Sequence, residues 1–345
     1  MRKQKTKIYL IAILLVLSLC TCGGKNAPSP DSGDGDKVLI VTDQVGRKVE
    51  ISGTPERIVS GYYISSSACI ALGLADKLVG IEARASTRPI YALAAPSLLE
   101  LPNVGTAREF NLEACIALHP DLVILPLRLR DAADTLAELG IPAILVNPES
   151  YAELLEMVAL LGEAAGAAEI ANRLLDYYEL STIGIETTVA VLPYANRTSV
   201  YMCGVSSYLT TAPKGMYQSV MIELAGGMNA SNLDGDSWAE ISYEQLLAIN
   251  PEVMVIPAEA SYNVNAIMGD AQLQRLSAVL NGKVYKMPAD FEAWDSPVPS
   301  CMLGARWLLN VLHEDLYSMD SLRQEAAAFY REFYGIEINT ALIVK

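Results

Sequence analysis

The chain is 345 residues long, 52% of them hydrophobic and 19% charged, with a formal net charge of −15. That hydrophobic content supplies packed cores for two ordinary domains and excludes a disordered chain. The negative balance repels phosphate backbones and anionic lipid alike, so nucleic acid is excluded as a partner and any membrane attachment needs another cause.

That cause stands at the N-terminus. Arg2, Lys3, Lys5 and Lys7 form a basic region ahead of the apolar run Ile8 to Leu19. Such a run rises roughly 18 Å as a helix, short of the ~30 Å hydrocarbon core, so an export signal is the stronger reading than a spanning helix. It ends in Leu19-Cys20-Thr21-Cys22-Gly23-Gly24, which resembles the bacterial lipobox. The resemblance implies a signal peptide over 1–21 and lipidation at Cys22, with a plain cleaved signal as the alternative. Residues 22–37 hold Gly, Pro, Ser, Asn and Asp but no large apolar side chain, the composition of a flexible tether. The expected location is extracytoplasmic, on the periplasmic or outer-surface side, with the membrane reached through a lipid anchor only.

Beyond the tether the chain alternates strand and helix signals. Arg57-Ile58-Val59-Ser60 opens a first set, and Ala143 to Val146 reads as a later strand. Ser199-Val200-Tyr201-Met202 opens a second set, and Val284 to Met287 reads as its later strand. The two sets are tied together by a repeat at a constant offset of 131 residues (242 − 111). Asn111-Leu112-Glu113 through Asp121-Leu122-Val123-Ile124-Leu125-Pro126 matches Ser242-Tyr243-Glu244 through Glu252-Val253-Met254-Val255-Ile256-Pro257. Each copy reads as a short helix and a strand: Asn111 and Ser242 suit N-caps, Pro120 and Pro251 end the helix, and continuous apolar runs suit strands covered on both faces. The fold class is therefore α/β, two similar lobes with parallel sheets, over 38–150 and 191–345.

Between them, 151–190 carries no strand signal. Ala167, Ile170, Leu174 and Tyr177 make one stripe at helical spacing. The spacing predicts a helix of about 18 residues ending near Gly184, a long rigid strut some 27 Å in length with the ligand cleft between the lobes it joins. Cys69, Cys115, Cys203 and Cys301 match no zinc or redox spacing, and a Cys69–Cys115 disulfide stays open beside four ordinary core residues.

With these elements in order, the chain resembles the ABC-transporter solute-binding proteins for iron-siderophores, cobalamin, haem and related ligands. The resemblance rests on Val41-Thr42-Asp43 with Gly46-Arg47 as an N-terminal hairpin, Ala71-Leu72-Gly73-Leu74, Lys77-Leu78-Val79-Gly80, Pro102-Asn103-Val104-Gly105 and the two repeat copies. It implies a small-molecule ligand, a metal chelate and first of all an iron-siderophore, held between two lobes joined by a long helix. It also implies that Glu113 and Glu244 dock arginines of a dimeric ABC permease. A carboxylate in a helix's first turn is also favoured by the helix dipole, but the equivalence of the two across the repeat suits a two-subunit partner.

Loops after the carboxyl ends of strands place Tyr62, Tyr63, Arg84, Arg88 and Arg108 at the cleft from the first lobe, and Tyr208, Trp238 and Trp294 from the second. Aromatic faces supply contact area and arginines suit carboxylate or phosphate groups. Cobalamin, haem or an oxyanion such as molybdate in the same fold are the alternatives, with presentation to a sensor receptor as another task. Cobalamin-binding members often carry Trp where this chain has Ala107. With His119 and His313 the only histidines, no metal site or cofactor is expected. No nucleophile elbow or phosphate loop appears, so the expectation is a monomeric carrier and not an enzyme.

Overall fold

The computed structural model describes residues 38–345, so the expected signal peptide, the tether and Cys22 lie outside the described residues. The first described element is an antiparallel hairpin, β1 (Val38–Thr42) on β2 (Lys48–Ser52). Its turn is organised by Asp43, a buried carboxylate that accepts from the backbone amides of Val45, Arg47 and Leu145 and pairs with the Arg47 guanidinium at 2.9 Å. A buried charge is tolerable only when matched in this way. The contact with Leu145 fastens the hairpin to the sheet behind it.

That sheet is β3 (Ile58–Ser60), β4 (Leu78–Ile81), β5 (Leu122–Pro126) and β6 (Ala143–Val146), all parallel, in the order β4-β3-β5-β6. The second sheet is built from β7 (Ser199–Met202), β9 (Met228–Asn229), β11 (Val253–Ile256) and β12 (Val284–Lys286), again parallel, in the order β9-β7-β11-β12. Beside it, β8 (Thr210–Thr211) and β10 (Ala239–Glu240) pair as a short antiparallel ribbon. Counted within each lobe, both sheets run second, first, third, fourth. The two lobes share one topology.

The repeat has the same role in both. Helix Leu112–Ala117 leads into β5 and helix Tyr243–Ile249 into β11, each the third strand of its sheet. Asn111 accepts from the Ala114 amide and Ser242 from the Gln245 amide. At the end of each helix the chain turns through a left-handed residue, His119 (φ 47°) and Asn250 (φ 45°), which are 131 positions apart. Asp121 then accepts from the Glu56 and Arg57 amides at the mouth of β3, and Glu252 accepts from the Ser199 amide at the mouth of β7.

Between the sheets run helices Tyr151–Ala164 and Ala168–Val189. The second has 22 residues and reaches about 33 Å, longer than the spacing predicts. Gly184 does not end it. A Cβ there would stand 2.8 Å from the Arg306 guanidinium, so this glycine leaves room for a side chain of the later helix Cys301–Leu312. Arg306 pairs with Glu325 at 3.2 Å, and the hydroxyls of Ser181 and Tyr317 converge on the same carboxylate. Helix Met319–Tyr334, which carries Glu325, packs back against helix Tyr63–Ala71 of the first lobe.

Strand residues alternate between two burials. Ile58, Ile124 and Ile144 face the helices between the sheets, as do Val200, Met202 and Val255, and all belong to one continuous apolar core. Their neighbours Val59, Val123 and Leu145 pack on the outer face of the first sheet, and Tyr201, Met254 and Ile256 on the outer face of the second. This settles the cysteines: Cys69 lies in the shared core and Cys115 on the opposite face of the first sheet, so the two do not pair. Cys203 and Cys301 are likewise buried and unpaired, and burial raises all four thiols above their ordinary range. Among the described residues no helix is long and apolar enough to cross a membrane.

Gly105 (φ 88°) follows a short bridge and opens the loop Thr106–Glu109. A Cβ there would stand 2.1 Å from the Glu109 carbonyl oxygen. Gly105→Ala is therefore expected to cost about 1–3 kcal/mol in a urea melt, through strain in a left-handed turn with no room to relax. A neutral result would show that this loop is not held where the structure places it.

Candidate functional site

The carboxyl ends of both sheets open into one cleft. β3 ends at Ser60, and Gly61 donates to Ile124 of the neighbouring strand before the chain enters helix Tyr63–Ala71. Tyr62 and Tyr63 thus stand at the sheet edge, their rings 5.3 Å apart in an edge-to-face pair. Burial raises both phenols, Tyr63 to about 12, so both stay protonated donors. β4 ends at Ile81, and the next residue, Glu82, is a buried acid accepting from Ser66 Oγ at 2.5 Å and Tyr91 OH at 2.7 Å. Burial raises the Glu82 carboxyl, against the lowering effect of those bonds and of Arg88.

The chain then passes through Arg84, a non-glycine residue at φ 78°, to Arg88. Backbone held in that region is uncommon outside glycine and tends to gather at functional sites. The Arg88 guanidinium lies 4.0 Å above the Tyr63 ring and pairs with Glu259 of the other lobe. Glu259 follows β11 on a loop whose Ala258 amide donates to Asp295 Oδ1 at 3.0 Å.

Two chambers meet at Tyr63, Arg84 and Arg88. The outer, of about 630 Å³, takes Arg108, Arg128 and Glu149 from the first lobe and Trp238 from the second. The inner, of about 490 Å³, is lined by Ser67 and Ile90 on one side and by Glu259, Phe291 and Glu292 on the other. Four arginines therefore converge on the outer chamber of a strongly acidic protein. Arginine's planar fork matches carboxylate and other oxyanion edges, and the aromatic rings offer flat apolar contact.

Of the residues the sequence places at the cleft, Tyr62, Tyr63, Arg84, Arg88, Arg108 and Trp238 are brought together there. Two are not. Trp294 is fully buried, donates its indole N–H to Tyr330 OH at 3.0 Å and stacks on Phe291, so it backs the chamber wall and does not line it. Tyr208 gives its hydroxyl to Asp270 at 2.7 Å and sets its ring edge-on to Tyr262, packing against the second lobe's own outer core.

Sequence reasoning missed Arg128 and Glu259. Extending the repeat two residues past Pro126 and Pro257 would have found both, since 128 + 131 = 259. Glu113 and Glu244 are exposed in the first turns of equivalent helices, and a hydrogen bond from Ser242 holds the Glu244 carboxyl below the usual range. Among the described residues no group of three or more His, Cys, Asp or Glu side chains is placed to hold a metal ion.

Comparison with known proteins bears on the whole arrangement. A family model described as periplasmic binding protein matches residues 58–291. The chain is 24% identical over 328 residues to the molybdate-binding protein of Haemophilus influenzae, covering 86% of this chain and 90% of that one. It is 26% identical over 302 residues to the ferric-citrate-binding protein of Bacillus subtilis, covering 85% and 93%. The solved structure of a periplasmic solute-binding protein from Veillonella parvula superposes with a TM-score of 0.78 at 26% identity, covering 89% of this chain and 95% of that one.

Asp295 gives the site a measurable pH signature. Burial pushes its carboxyl up to about 6, and nearby Glu259 adds to the shift. A raised acid favours the folded state below the unfolded value near 4, and that contribution is lost as pH climbs through about 6. Asp295→Asn keeps the acceptor for Ala258. Its stability relative to wild type is expected to improve by on the order of 2–3 kcal/mol between pH 4 and pH 7 in parallel urea melts. A pH-independent difference would mean that Asp295 ionises freely.

Proposed function

The chain belongs to the periplasmic binding protein family and is the solute-binding component of an ABC transporter, and from that premise we propose that it captures an anionic metal chelate, an iron-siderophore of carboxylate type, and delivers it to a dimeric permease. The observation that carries this reading is the meeting of Arg84, Arg88, Arg108 and Arg128 in one chamber of a chain with net charge −15. Guanidinium forks bind carboxylate oxygens in pairs, and fixed arginines in a shaped cleft focus the field that an anion follows. The chamber volumes suit a ligand of drug-like size, with Tyr62, Tyr63 and Trp238 covering its organic part. Likeness to a ferric-citrate-binding protein supports the same class. A bare oxyanion such as molybdate is the second reading, favoured by likeness to a molybdate-binding protein.

In this reading the protein is a carrier and not a catalyst, works as a monomer, and is anchored by lipid at Cys22. Glu113 and Glu244 are the docking handles, one per lobe at equivalent exposed positions, each meeting one permease subunit.

Titration of the purified protein with ferric citrate and with molybdate, followed by tryptophan fluorescence, separates the two ligands, because Trp238 lines the chamber while Trp294 and Trp307 are buried. Arg108→Gln and Arg128→Gln are each expected to weaken the bound anion about tenfold or more, the loss typical of one charge-assisted hydrogen bond. Affinity untouched by both would remove the anionic reading. Glu113→Lys with Glu244→Lys should leave ligand affinity intact and abolish uptake by cells. Uptake that survives would discard the docking assignment.

A further inference from the structure

Among the described residues, Arg88 is the one cleft arginine whose ion-pair partner comes from the opposite lobe. It reaches from the first lobe to Glu259 of the second, 171 residues away. Its side chain is 18% exposed and its guanidinium lies over the Tyr63 ring, whereas Glu259 is 42% exposed and makes no other hydrogen bond or ion pair among the described residues. The partnership is therefore lopsided. Arg88 is fixed by stacking, and Glu259 is held only by Arg88 and by the loop that Asp295 fastens at Ala258. Arg88 also lines both chambers, while Glu259 lines only the inner one. The ion pair therefore joins a residue shared by both linings to one that belongs to the inner chamber alone.

Glu259 is not required by the fold. Its repeat equivalent is Arg128, which lines the outer chamber with no ion pair among the described residues. The same place after the third strand thus carries opposite charge in the two lobes. A negative charge there opposes any anion approaching the arginines, so its presence in an anion site calls for a role.

We propose that Glu259 is a built-in surrogate anion: in the ligand-free protein its carboxylate occupies Arg88 and ties the lobes across the cleft, and the anionic group of the ligand takes its place. This rests on the anionic-ligand reading above and adds a selectivity rule to it. A ligand with a single charge exchanges one carboxylate on Arg88 for another and gains little by doing so. A ligand with several anionic oxygens engages Arg88 together with Arg84, Arg108 and Arg128, and displaces Glu259. The residue thereby filters for multiply charged ligands. The released carboxylate stays at the inner chamber, beside Ser67 and Glu292, where it is free to receive hydroxyl or amide donors of a bulky ligand.

Two measurements on the full chain test this, one without ligand. Site-encoded nitroxide labels at Glu109 and Asp236, exposed residues on opposite rims beside Arg108 and Trp238, report the cross-cleft distance by pulsed electron resonance. Glu259→Gln is expected to broaden and lengthen that distribution in the ligand-free protein, and Glu259→Asp to restore it in part. Titrations with nitrate, molybdate and ferric citrate form the second arm. Glu259→Gln is expected to tighten binding about three- to tenfold and to raise nitrate most, narrowing the preference for multiply charged probes. Equal or weaker binding by Glu259→Gln overturns the surrogate, and an unchanged distance distribution overturns the tie between lobes. If wild type and variant bind none of the probes, the anionic reading fails, and the distance distributions still decide the tie.

Discussion

The two sheets share one apolar core, and every feature of the cleft depends on that continuity. Side chains from the inner face of each sheet meet the helices Ala168–Val189, Cys301–Leu312 and Met319–Tyr334 in a single buried cluster. A carrier whose lobes hang on two flexible strands swings as a hinge. Here a wide swing would expose apolar surface at roughly 25 cal/mol per Å² and would strip helix Met319–Tyr334 from helix Tyr63–Ala71 of the first lobe. Such a frame favours small sliding of packed helices over a wide swing. In such a frame recognition falls to side chains at the cleft mouth, and a single ion pair spanning it gains weight.

The duplicated halves separate what the two lobes share from where they diverge. Both copies keep a capped helix start, a left-handed residue closing the helix, and a carboxylate that clamps the mouth of the first strand. These satisfy backbone groups that would otherwise stand unpaired at the helix ends and strand mouths. Two residues past Pro126 and Pro257 the copies part, Arg128 in one and Glu259 in the other. Nothing in the sheet depends on those side chains, so they are free to differ. The divergence falls where the chain leaves the sheet and enters the cleft.

Much of the fold was legible because its signals are local. The strands Ala143–Val146, Ser199–Met202 and Val253–Ile256 are read directly from short apolar runs, and the caps from one residue and its spacing. The misreadings share the opposite property. Trp294 finds its partner 36 residues on, Tyr208 finds Asp270 62 residues on, and Gly184 makes room for Arg306 more than a hundred residues away. An aromatic residue near the end of a strand can serve core or cleft, and only the distant partner decides. Tyr62 and Tyr63 face the cleft because Gly61 brings the chain tight against Leu125, leaving no space for a side chain at that turn.

An acidic protein that gathers arginines must also keep its own carboxylates from cancelling them. Asp295 stands behind the cleft wall while Glu82 and Glu292 line the chambers, and burial raises each of the three despite hydrogen bonds that work in the other direction. A carboxyl pushed toward its neutral form satisfies donors such as Ser66, Tyr91 and Ser300 while contributing less opposing field. Exposed carboxylates away from the cleft are screened by salt within about a Debye length of 8 Å. The four arginines of the outer chamber act at shorter range, on whatever enters the cleft itself. Overall charge and cleft charge are then separable properties: the first discourages nucleic acid and lipid, and the second is set by the few arginines and carboxylates that line the chambers.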